Sequence, residues 1–301
     1  MVYGCFQTAA GTSPEGEHIT MNIKICTDST CDLSKELIEK YNIHISPLSV
    51  IKDGESFLDG VDITTQELIE HVNNGGSMCS TSAVNIGTWE EVFEKYASEY
   101  DAVICVTLGS GFSSCYQNAV NAAEEMKNVY VVDSMNLSTG EGLVVIEAAR
   151  LAEKGLPADE IVRRLEIMRT HVEASFILNQ LTFLRKGGRC STLAALGANI
   201  LKIKPCIKVK DGMMGVAEKY RGTYAKCLED YVRERLEGRQ DLRGDTIFIT
   251  HTLEGEQYVP AVTELIRKYA HFDEIIETDA GCTISCHCGP STLGILFVTK
   301  D

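Results

Sequence analysis

Residues Cys105–Ala119, CVTLGSGFSSCYQNA, combine a short apolar run, a loop of small residues and the first turns of a helix. A loop that feeds a helix N-terminus gathers unpaired backbone N–H groups at the positive end of the helix dipole, so it suits a phosphate or a carboxylate. The spacing begins as G-x-G-x-x-G with Gly109 and Gly111, but the sixth position is Ser114, and a dinucleotide is not specified. Three hydroxyls, Ser110, Ser113 and Ser114, supply donors where a nucleotide loop has glycine.

Outward from this loop the same alternation repeats. IKICTDS is followed by a helix after Asp32, IHISPLSVI by a helix from Thr64, and the strand Ala102–Thr107 by a helix from about Ser114 to Met126. A strand Val129–Val132, a helix from about Gly140 to Lys154 and an amphipathic helix carrying Ile161, Leu165 and Met168 complete the first part. Such alternation predicts a mostly parallel sheet with helices on its faces. Thr64–Glu67 and Thr88–Glu91 each offer a capping box at a helix start.

After His171 the texture changes. A strand ASFIL, a loop LRKGGRCS, an apolar helix LAALGANIL and a hairpin turning at Asp211-Gly212 come first. A helix from Thr223 to Leu236, a strand TIFITH, a helix YVPAVTELIRKYA and closing strands EIIETD and LGILFVT follow. The expectation is therefore an α/β protein of two domains, residues 21–171 and 172–301. Residues 1–20, MVYGCFQTAAGTSPEGEHIT, are expected to be a disordered extension or a start-site artefact.

The 301 residues carry 28 Lys and Arg against 43 Asp and Glu, a formal charge of -15, which opposes wholesale binding to nucleic acid or anionic lipid. No run approaches the roughly 18 apolar residues of a membrane span, and no secretory leader opens the chain, so a cytoplasmic protein is expected. Several of the twelve cysteines, such as Cys26, Cys105 and Cys206, lie in apolar runs and suit reduced buried thiols. The set Cys282, Cys286, His287 and Cys288 lacks the paired C-x-x-C knuckles of a structural zinc site, and no metal is expected.

Four loops share hydroxyl chemistry: Asp28–Thr30, Ser80–Ser82, Ser110–Ser114 and the stretch around His287. In an open α/β sheet the carboxyl ends of the strands are where ligands collect, so these hydroxyls could converge on one polar head group. Arg189 in RKGGR offers a planar fork suited to two oxygens. Phe176, Ile177, Leu178, Leu181 and Phe183 supply apolar material nearby. No P-loop, H-E-x-x-H or G-x-S-x-G motif occurs. An acyl or phosphoryl hydrolase or transferase using Ser113 or Cys286 with His287 remains as an alternative, as does a redox or metal-responsive module built on the C-terminal cysteines.

KICTDSTCDL, FLDGVDIT, STSAVN, LGSGFSSCYQNA, LTFLRKGGRCS, LKIKPCIKVKDGMM, EKYRG and HCGPSTLG follow one another in an order that resembles the DegV family, the fatty-acid-binding subunits of bacterial fatty-acid kinase systems. The resemblance implies a non-catalytic two-domain protein, without cofactor, that buries a long-chain fatty acid in an apolar tunnel, with the ligand between its domains. It implies a separate fatty-acid kinase as partner, which phosphorylates the presented carboxylate with ATP, and at most transient membrane contact. By motif position, Thr81 and Ser113 would donate to the carboxylate, with Arg189 and His287 completing the cluster and Ser82, Ser110 and Ser114 in the supporting loops. Ala83-Val84-Asn85 and Cys115 depart from the residues usual in that family.

Overall fold

β1 (Ile23–Asp28) is buried along nearly its whole length, as a parallel strand covered on both sides must be. The computed structural model describes residues 21–190, 192 and 203–300. After β1 come α1 (Lys35–Lys40), β2 (His44–Ser46), β3 (Ser49–Lys52), β4 (Glu55–Leu58), α2 (Thr65–Asn73), β5 (Ser80–Ser82), α3 (Ile86–Glu99), β6 (Ala102–Thr107), α4 (Cys115–Ala122), β7 (Val129–Asp133), α5 (Thr139–Glu153) and α6 (Ala158–Met168). The chain continues through β8 (Val172–Leu178), α7 (Thr182–Gly187), β9 (Lys204–Lys210), β10 (Met213–Tyr220), α8 (Tyr224–Leu236), β11 (Leu242–His251), α9 (Val259–Tyr269), β12 (Glu274–Asp279), α10 (Cys282–Cys288) and β13 (Thr292–Thr299).

Three sheets result. A parallel sheet has the order β2-β1-β6-β7, a mixed sheet the order β10-β9-β8-β13-β11-β12, and a small antiparallel sheet the order β4-β3-β5. α5 packs against β1 and β6 on one side and β8 and β13 on the other. It is buried on nearly every face, and the largest apolar cluster runs through it from one main sheet to the other. The expected α/β architecture is present. The division expected near His171 falls in the turn between α6 and β8.

Local chemistry accounts for most boundaries and for the corrections. Thr64 and Glu67 form the expected capping box. The box expected at Thr88–Glu91 does not form: Asn85 is the cap, its side chain accepting from Thr88 N–H at 2.9 Å, so α3 starts at Ile86. α4 stops at Ala122, short of Met126, where Glu124 and Glu125 would put like charge on the negative end of the dipole. Asp211 and Gly212, both with positive φ, make the expected hairpin turn. Three stretches taken as loops are regular: β5, α7 and α10. All three are too short and too rich in hydroxyls, glycine or cysteine to show a period, and packing of Val50, Leu68, Phe183, Cys282 and Cys286 in a satellite core holds them. Residues 1–20 and the expected helix at 193–201 lie outside the described residues.

Candidate functional site

β1 and β6 leave the parallel sheet at the point where strand order reverses, and a crevice opens at their carboxyl ends. Asp28 closes β1 and reaches across, its carboxyl accepting from Leu108 N–H at 2.9 Å, so the loop after β6 is tied to the end of β1. That loop is held from two further sides. Asp133 at the end of β7 accepts from Ser110 N–H and Ser110 Oγ at 3.1 and 2.6 Å. The β9–β10 hairpin tip lies so close that a Cβ at Gly111 would collide with the carbonyl of Gly212. Ser113 therefore has a fixed place, with its Oγ accepting from Cys115 N–H at 3.2 Å in the first turn of α4.

The second wall comes from the small sheet and α10. Thr81 stands opposite Val50 on the edge strand β5. α10 is anchored at its N-terminus by two buried acids. Asp59 accepts from Cys282 N–H at 2.9 Å, Thr283 N–H at 3.0 Å and Ser29 Oγ at 3.1 Å, while Asp32 accepts from Gly281 N–H at 2.8 Å. The three bonds from Gly281, Cys282 and Thr283 satisfy orphan N–H groups at the helix start and orient the helix. His287 then meets Thr81, with Nε2 and Oγ1 2.9 Å apart. Gly187 at the end of α7 makes room for the ring, since a Cβ there would collide with His287 Nδ1.

Thr81, Ser82, Ser113, Ser114, Arg189 and His287 all line one cavity of about 240 Å³, walled otherwise by side chains such as Leu48, Phe112 and Met214. Leu137, Ile284 and Cys288 also line a narrower adjoining space of about 20 Å³ that runs between α10 and the mixed sheet to Phe176 and Leu296. Ser110 belongs to the supporting loop, where it faces Asp133 and does not line the cavity. Arg189 is exposed, and its guanidinium donates to the carbonyl of Gly187 at 2.8 Å. Reading of the sequence missed Thr283, which lines the cavity, and Asp59, which anchors α10. A capping acid contributed from 223 residues away leaves no local signal.

Burial, with the Arg189 charge adding to it, pushes the His287 imidazole down to about 4. It is neutral at pH 7. Nδ1 has no hydrogen-bond partner among the described residues. Burial also pushes the thiols of Cys282, Cys286 and Cys288 up to about 12, so none of them is a thiolate at neutral pH. Cys286 Sγ donates to the carbonyl of Cys79 at 3.1 Å and Cys282 Sγ to that of Ile63 at 3.2 Å. Neither Ser113 nor Cys286 is hydrogen-bonded to His287, so the dyad of the hydrolase alternative is not assembled. Among the described residues no group of three or more His, Cys, Asp and Glu is placed to hold a metal ion, and no helix is long and apolar enough to cross a membrane.

The depressed imidazole has a stability consequence. Between about pH 4 and 6.5 the unfolded chain binds a proton on His287 that the folded chain does not, so this residue makes stability rise with pH across that window. Urea titrations of the wild type and His287→Asn should show the wild type losing about 3 kcal/mol relative to the variant from pH 6.5 to 4. A pH-independent difference would count against a buried neutral imidazole.

Comparison with known proteins places this arrangement. The family model of the DegV family, whose description calls its members uncharacterised, matches residues 22–300. A DegV domain-containing protein of Clostridium perfringens is 32% identical over 282 residues, covering 92% of this chain and 99% of that protein. A DegV family protein of Thermus thermophilus, whose structure is described as one of fatty acid binding, superposes with a TM-score of 0.85 at 27% identity, covering 93% of this chain and all of that one. DegV of Bacillus subtilis, described as a fatty acid binding protein, superposes with a TM-score of 0.78 at 29% identity, covering 93% and 100% of the two chains. With a family model matched from the first described strand to the last, and a relative aligned along almost its whole length, the chain belongs to the DegV family.

Proposed function

We propose that this protein binds a long-chain fatty acid, burying the tail in the cavity and its narrow extension, and presents the carboxylate to a separate ATP-dependent fatty-acid kinase for acyl-phosphate formation. The observation that carries the reading is the Thr81–His287 pair at 2.9 Å in the wall of a cavity that continues into an apolar slot. Residues 21–171 and 172–301 act as two domains with the ligand between them. No cofactor takes part, and contact with membrane is limited to transient exchange of the ligand.

In this reading the neutral imidazole carries its proton on Nε2, because the alternative tautomer would leave a buried Nδ1–H with no acceptor, and orphaned buried N–H groups are rare. Nε2–H donates to Thr81 Oγ1, and the threonine proton is thereby turned outward to the carboxylate. Ser113 donates from the facing loop, α4 adds the positive end of its dipole, and exposed Arg189 stands at the mouth. A tail of about sixteen carbons contributes on the order of 10 kcal/mol of gross transfer free energy, at ~0.8 kcal/mol per CH₂, before the costs of association. Uptake therefore depends on the tail, and reactivity on the head-group contacts.

Native mass spectrometry of the purified protein tests the carrier role: an adduct of fatty-acid mass is expected, or uptake of added oleate or palmitate. A clean apo protein that takes up neither would end the proposal. Thr81→Ala and Arg189→Ala are expected to reduce kinase-dependent acyl-phosphate formation about 10-fold or more while uptake falls less than about 3-fold. Equal losses in the two assays would contradict the division of labour between head and tail.

A further inference from the structure

Thr283 lines the cavity from the first turn of α10, is only 4% exposed, and has a hydroxyl with no hydrogen-bond partner among the described residues. Its backbone is pinned, the N–H donating to Asp59 at 3.0 Å. The side chain is less constrained: a helical threonine divides between two χ1 wells, and rotation between staggered wells can exchange the positions of hydroxyl and methyl without moving the helix. The apolar wall residues Leu48, Leu137 and Ile284 offer the hydroxyl no side-chain acceptor. A tail made only of methylenes would fill the cavity and leave that hydroxyl unpaired.

Position narrows what the hydroxyl can meet. Thr283 and His287 stand at i and i+4 on α10, one turn or about 6 Å apart along the helix axis, and on the same face. With the carboxylate held at Thr81 and His287, a group beside Thr283 lies a few carbons along the chain. We infer that the cavity takes an acyl chain bearing a second oxygen close to its carboxylate, such as a 3-hydroxy acid, and that Thr283 is the residue that recognises this oxygen. The inference rests on the carrier reading above and specifies its ligand class. A buried group that needs a hydrogen-bond partner rejects a ligand lacking one far more strongly than an apolar wall rejects an added hydroxyl.

Displacement of a fluorescent fatty acid by tetradecanoic acid and by 3-hydroxytetradecanoic acid, measured on the full chain, tests this. The wild type should prefer the hydroxy acid, and Thr283→Val should weaken its binding about 10-fold while leaving tetradecanoic acid within about 2-fold. Thr283→Ser, which keeps the hydroxyl, should keep the preference and shows that a loss in the valine variant is not misfolding. Equal weakening of both acids by Thr283→Val, or no preference in the wild type, overturns the inference while leaving the carrier reading intact. Failure of the wild type to bind either acid overturns both, and is distinguished by the missing signal from the fluorescent probe itself.

Discussion

Asp59→Ala is expected to destabilise the protein by on the order of 3–5 kcal/mol and to remove fatty-acid binding from whatever remains folded. Asp59 is 5% exposed and accepts three hydrogen bonds, from Cys282 N–H, Thr283 N–H and Ser29 Oγ. Its removal strands two N–H groups at the start of α10 and one hydroxyl whose oxygen in turn accepts from Leu48 N–H at 3.0 Å. Each stranded buried donor costs about 1–3 kcal/mol. The functional loss follows from geometry: α10 carries His287, and its direction is set at this N-terminus. Asp59→Asn, which keeps one accepting oxygen, should fall between wild type and alanine. Chemical unfolding and fluorescent fatty-acid binding measured on the same samples check both parts. A loss of under 1 kcal/mol with binding retained would show that Asp32 alone suffices to hold the helix.

Glu141→Gln should act in the opposite direction, stabilising the protein by about 1–3 kcal/mol at neutral pH, with a gain that grows as pH rises. Glu141 is wholly buried in α5, and desolvation followed by repulsion from Asp28 holds its carboxyl well above the usual glutamate range. The hydrogen bonds agree on where a proton sits. Thr30 Oγ1 lies 2.5 Å from Asp28 Oδ1 and 2.8 Å from Glu141 Oε2, yet it has one proton to give. Asp28 also accepts from the N–H groups of Thr30 and Leu108, so it takes the threonine proton, and Glu141 donates to Thr30 from Oε2 while its Oε1 accepts from Thr27 at 2.9 Å. Glutamine reproduces that pattern with its NH₂ and carbonyl.

The sign of the pH effect follows from linkage. Above the ordinary glutamate pKa the unfolded chain has released this proton and the folded chain has not, so the wild type loses stability as pH rises, and the glutamine variant has no such proton to lose. Urea unfolding at pH 5, 7 and 8.5 reads the difference directly. A constant difference, or a wild type that overtakes the variant at pH 8.5, would show that the carboxyl ionises at no cost inside the fold.

Legibility of the sequence tracked the range of the forces involved. β1, β6 and β7 were legible because buried parallel strands must be apolar on both faces, and α2 because a capping box is complete within four residues. The anion-suited loop before α4 was legible for the same reason, its hydroxyls and glycines lying in one stretch. Thr88 shows the limit even at short range: Asn85, three residues earlier, competes for the same helix start, and its side chain made the cap. Of the hydroxyls in the loop, spacing could not separate Ser113, which faces the cavity, from Ser110, which Asp133 turns away.

What the amino-acid sequence determined by itself was the alternation of strands and helices, the hydroxyl character of the loops at the strand ends and, through ordered motifs, the family. Only the tertiary structure decided that Thr81 and His287, 206 residues apart, share a hydrogen bond, that Asp59 and Asp32 aim the helix bearing that histidine, and that Thr283 lines the same cavity. The reason is physical. Periodicity and capping are written within a few residues, whereas buried polar partners are chosen by which groups the packed sheets bring within 3 Å of one another.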